Sequence, residues 1–86
     1  MPEICRFFGI VIKMFYGDHL PPHFHAEYGD YRALINIKTL SIFEGHLPGR
    51  ALGLVIEWAQ INQNELLKLW ERAVNNEKLF NLKPLE

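Results

Sequence analysis

The sequence predicts an α+β domain: a four-stranded antiparallel meander with two C-terminal helices packed on one face. Strand-like segments of alternating character fill the first half, and apolar residues at helical spacing fill the second. Between two of the strand segments lies Gly29-Asp30, a two-residue turn whose leading glycine suits the turn classes that match strand twist. With 86 residues, 49% of them hydrophobic, the chain forms a single domain, 1–86. A domain this small buries only about 60–65% of its unfolded surface, so a partner or a second copy has stability to contribute.

The first strand, about 7–15, is marked by β-branched and aromatic residues. Phe8, Ile10, Ile12 and Met14 form its apolar side; Phe7, Val11, Lys13 and Phe15 form a mixed one. Gly9 inside it suggests a bulge or a close backbone approach. Tyr16 to Pro22 is a loop stiffened by Pro21 and Pro22. The second strand, about 23–28, and the third, about 31–37, flank the Gly29-Asp30 turn. With those two residues as the loop, Tyr28 faces Tyr31, Glu27 faces Arg32, Ala26 faces Ala33 and Phe24 faces Ile35. Antiparallel pairing with the first strand puts Ile10, Ile12 and Met14 beside Tyr28, Ala26 and Phe24. Tyr31, Ala33, Ile35 and Ile37 then face the core, and a short fourth strand follows at about 40–44.

Gly45-His46-Leu47 reads as a connection, and Pro48 stands where a helix begins, since its missing N–H costs nothing there. Ala51, Leu52, Val55, Ile56 and Ala59 give the first helix, about 48–61, its core stripe. Asn62-Gln63-Asn64-Glu65 resembles a capping box opening a second helix, about 63–75. Leu66, Leu67, Leu69, Trp70, Ala73 and Val74 supply its apolar side. Lys78–Glu86 is too apolar for a free tail and is expected to lie extended across a neighbouring edge.

A net charge of −1 gives no general attraction to nucleic acid or acidic lipid. The one cysteine, Cys5, has no internal disulfide partner and reads as buried filler. No apolar run approaches the roughly 18 residues of a membrane span. Glu3 and Arg6 interrupt any signal-peptide pattern, so the chain reads as soluble and cytoplasmic.

Chemistry concentrates on one face of the second strand. Alternation sends His23, His25 and Glu27 to the same side, with Arg32 and Asn36 beside them. His19 or Asp18 can approach from the proline-stiffened loop. His19, His23, His25 and Glu27 are therefore candidate ligands for zinc or another divalent transition metal. The plainer alternative is an exposed face on which Glu27 pairs with Arg32 and His19 bonds within its loop. A second reading makes His23 and His25 proton shuttles, with Arg32 and Lys13 holding a phosphate of RNA. A third is non-enzymatic: Trp58, off the main helical stripe, and Phe80 in the apolar tail are candidate anchors for a protein partner. Both Trp residues have ordinary core as the competing role.

The opening Met1-Pro2-Glu3-Ile4-x-Arg6-Phe7-Phe8-Gly9-Ile10, with Asp18-His19-x-Pro21-Pro22-His23-Phe24-His25-x-x-Tyr28-Gly29, resembles a family of small bacterial proteins of unknown function. Glu44-Gly45-x-Leu47-Pro48-x-Arg50-Ala51-Leu52 and Glu57-Trp58-Ala59 extend the likeness over nearly the whole chain. The resemblance implies a bacterial protein with a protein partner encoded nearby, in pairs that look like toxin–antitoxin modules. It supplies no catalytic residue. The sequence departs from the family pattern at Lys38-Thr39-Leu40, where Asp-Thr-Gly is more usual, so the second hairpin is expected to be less regular. The favoured reading is a binding or regulatory module acting with a partner or as a homo-oligomer. The alternative is a small histidine-based RNA-cleaving or metal-dependent enzyme.

Overall fold

Alternating apolar residues in the first half fold as an antiparallel meander of five strands, one more than expected. A computed structural model describes residues 3–86; the Met1-Pro2 start of the opening motif lies outside the described residues. The strands are β1 (Glu3–Phe7), β2 (Ile10–Lys13), β3 (His23–Tyr28), β4 (Tyr31–Asn36) and β5 (Ile42–His46), neighbours in that order. The extra strand comes from the segment 7–15, which is not continuous. Phe8 and Gly9 take φ of 49° and 79°, positive at both central positions of a tight hairpin turn, so the chain folds back there. Phe7 then pairs with Ile10, and Cys5 with Ile12. Phe8 consequently leaves the apolar row and is 60% exposed, while Ile10, Ile12 and Met14 are fully buried.

The β3–β4 hairpin has the expected register, from Tyr28 opposite Tyr31 to Phe24 opposite Ile35. Gly29, at φ 58°, leads its turn. Ala33, Ile35 and Ile37 point into the core, whereas Tyr31, beside the turn, stays exposed. The β4–β5 connection is the irregular one. Leu40 occupies φ 55°, and the Asn36 side-chain oxygen accepts the N–H groups of Lys38 and Thr39 at 2.8 and 3.1 Å. This longer turn moves the last strand from 40–44 to Ile42–His46 and shifts the ladder between Leu34 and Ile35. Gly45 and His46 therefore lie in β5 rather than in a connection. A Cβ on Gly45 would stand 2.9 Å from the Ala33 Cα and run into the Arg32 carbonyl oxygen, so no side chain fits.

Two helices follow, α1 (Gly49–Ile61) and α2 (Gln63–Val74). Ala51, Val55 and Ala59 are buried as their spacing predicts. Trp58 is buried with them, three residues after Val55, its ring 5.4 Å from that of Phe7 and 5.8 Å from that of Phe24. It is core, not a surface anchor. Asn62 makes no side-chain cap for α2; its amide instead donates to the Trp58 carbonyl at 2.9 Å and closes α1. Leu66, Leu69, Trp70 and Ala73 are buried on α2, and Val74 is exposed. Gln63 ties the start of α2 to the end of β4 by donating to the Ile37 carbonyl at 2.8 Å.

The C-terminal segment runs extended beside the β1 edge, with Leu82 N–H donating to the Ile4 carbonyl at 2.8 Å. The Trp58 indole N–H holds the same segment through the Lys83 carbonyl at 2.8 Å. Phe80 is partly exposed, with the Arg72 guanidinium 5.9 Å from its ring centre. Among the described residues, no helix is long and apolar enough to cross a membrane.

Candidate metal centre

Strand alternation sends Phe24 to the side of α1, against Trp58, and His23 and His25 to the other, where Trp70 of α2 reaches His23. The two imidazoles are neighbours, with ring centres 5.3 Å apart. His23 does not look outward, however. It is 5% exposed, enclosed by the rings of Trp70 at 5.3 Å and Phe43 at 5.4 Å. His25 is half-buried, edge-on to Phe15 at 4.6 Å.

The loop between β2 and β3 brings Asp18 to both rings. Its Oδ2 lies 2.9 Å from His25 Nε2 and 3.2 Å from His23 Nε2. The Leu20–Pro21 peptide bond is cis, and the Pro21 carbonyl oxygen lies 2.8 Å from His23 Nδ1. A carbonyl oxygen only accepts, so His23 Nδ1 carries a hydrogen and donates it to Pro21. In the neutral ring that leaves the Nε2 lone pair aimed at Asp18 Oδ2, itself an acceptor. Two lone pairs at this separation need a proton or a cation between them. His25 Nε2 meets the same oxygen. One carboxylate oxygen thus serves as the hub for two imidazole nitrogens.

The donors of Asp18, His23 and His25 all lie within 4.8 Å of one another. Two ligand atoms bound tetrahedrally to Zn²⁺ at 2.0–2.2 Å stand roughly 3.3 Å apart. The separations at Asp18 are close to this. An imidazole–imidazole–carboxylate set suits zinc and similar transition metals and leaves coordination positions for water or a further ligand. The Pro21 contact also fixes the His23 tautomer that presents Nε2.

The other expected residues fall outside this group. Glu27 shares the strand face but accepts from Lys13 Nζ at 3.1 and 3.2 Å, in a partly buried pair. Arg32 is opposite Glu27 in register yet exposed, so the anticipated Glu27–Arg32 pair gives way to Lys13 from the other neighbouring strand. Lys13, held by Glu27, is not free to grip a phosphate. His19 is exposed and stands apart from the cluster, Asp18 reaching the rings in its place. Cys5 is buried, and desolvation pushes its thiol above the ordinary range, away from nucleophilic chemistry. The aromatic walls, Phe43 and Trp70, carry no sequence signal that tells them from general core.

No curated protein and no solved structure matches this chain. Residues 9–71, a span that contains Asp18, His23 and His25, match the family described as a domain of unknown function, DUF4160, and the chain belongs to that family.

Proposed function

We propose that this domain is a binding module that takes a divalent transition metal ion, zinc foremost, on Asp18 Oδ2, His23 Nε2 and His25 Nε2. One observation carries the reading: a buried imidazole with its Nδ1 hydrogen committed to Pro21 holds Nε2 3.2 Å from a carboxylate oxygen, a contact that needs a proton or a cation between the two atoms. A cation at that point satisfies both groups at once. The aromatic enclosure by Trp70 and Phe43 lowers the local dielectric and strengthens the attraction. A proton-shuttling nuclease has less support, because His23 is shielded and Lys13 is engaged.

The test is calorimetric titration of tag-free, metal-stripped protein with Zn²⁺, paired with the visible spectrum of the Co²⁺ form. Expected are one equivalent bound and the absorption of a tetrahedral nitrogen–oxygen site. Loss of an outer partner typically costs 10–100-fold in affinity, so His25→Ala, which removes a ligand, is expected to cost at least about 100-fold. Absence of both heat and cobalt absorption at micromolar metal removes the proposal.

A further inference from the structure

The opposite end of β3 carries a second feature. Tyr28 pairs with Ile10 on one side and Tyr31 on the other, so the Phe8-Gly9 and Gly29-Asp30 turns come together there. Beside them, Phe8, Ile10, Tyr28, Pro48, Leu54 and Arg50 line a cavity of about 400 Å³. That volume lies in the range of small-molecule sites, about 300–1,000 Å³. Three observations separate it from incidental surface. Phe8 exposes most of its ring from a left-handed backbone conformation that favours glycine or asparagine, so neither burial nor turn preference accounts for a phenylalanine here. Of the described residues lining the cavity, Arg50 alone carries a charged side chain. Among the described residues, Arg50 makes no ion pair and no side-chain hydrogen bond.

We infer that this cavity binds a small carboxylic acid with an aromatic or branched apolar body. The body lies against Phe8, Tyr28 and Leu54, and the carboxylate meets the Arg50 guanidinium, which presents a planar fork of donors matched to two carboxylate oxygens. A neutral apolar ligand would leave the exposed guanidinium to water and gain nothing from it, and a phosphate would leave the apolar walls uncovered. The site is independent of the metal centre.

The experiment is an amide chemical-shift titration of the intact protein with hydrocinnamate, indolepropionate and isocaproate, each against its carboxamide. Expected are saturable shifts at Phe8, Tyr28 and Leu54 with at least one acid, and about tenfold weaker binding of its carboxamide. Arg50→Gln is expected to bring the acid down to the level of the amide without altering the fold. Equal affinity for acid and amide, indifference to Arg50→Gln, or no saturable shift with any of the three acids overturns the inference. An acetylated peptide ending in a free Leu-Phe terminus forms the last arm. If it binds here more tightly than every free acid, the occupant is a chain terminus and the small-acid assignment fails.

Discussion

At one end of β3 the His23 imidazole is enclosed by Trp70 and Phe43, and both its nitrogens have partners. At the other, about 17 Å along the strand, Phe8 and Tyr28 stand exposed and share a cavity with a guanidinium that has no partner among the described residues. The first end puts polar atoms inside and covers them with rings; the second leaves rings outside. Burial makes the difference consequential. An interior polar group must keep its partners, so changes around it are felt as lost stability. A surface one has water as a substitute, and changes there are felt when a ligand binds.

Removing the cover over His23 is expected to cost the most. Phe43 sits on β5, and Gly45 lets that strand approach Arg32 and Ala33. Gly45→Ala forces a methyl group onto backbone at φ 85°, and about 2–4 kcal/mol of stability is expected to be lost in urea denaturation. A loss well under about 1 kcal/mol would mean that β5 does not hold this register. Asp18→Ala in metal-free protein leaves the buried His23 Nε2 without its partner, an expected cost of about 1–3 kcal/mol. Arg50→Ala at the other end is expected to stay within about 0.5 kcal/mol of the parent. Equal costs in the same denaturation series would erase the distinction drawn here.

Much of this was legible in the sequence, for identifiable reasons. Gly29-Asp30 is a turn of ordinary chemistry, and like-with-like pairing across it fixed the β3–β4 register and the shared face of His23 and His25. The turn at Phe8-Gly9 was hidden because phenylalanine is the wrong residue for its backbone, and with it went β1. Trp58 has core and partner anchor as competing roles in the sequence, and its place three residues beyond Val55, on the buried side of α1, decides for core. At the proposed metal site, the strand period placed two of the three candidate ligands. The third came from a loop whose path no period dictates, so Asp18 and His19 were equally available and only the fold separates them. Glu27 lay between two cations on adjacent strands, and pairing across the hairpin favoured Arg32 over Lys13, which the structure reverses.

One substitution is expected to act with the opposite sign, and it joins the two ends of the strand. Positive φ at both Phe8 and Gly9 is the geometry for which asparagine followed by glycine is the preferred pair. Phe8→Asn therefore relieves a backbone penalty of about 1–2 kcal/mol while surrendering a ring that is mostly in water. Part of that relief is offset by lost contact with Phe7, whose ring centre is 6.3 Å away. A net gain of about 0.5–1 kcal/mol is expected, read as a higher urea midpoint at unchanged slope. The same variant is expected to weaken apolar acids at the Arg50 cavity while leaving zinc affinity as it was. A residue that costs stability where it stands and gains little by burial has a ligand from outside as the contact that would account for it. If Phe8→Asn destabilises instead, the ring is holding the hairpin rather than waiting for a ligand, and the exposed end of the sheet is structural after all.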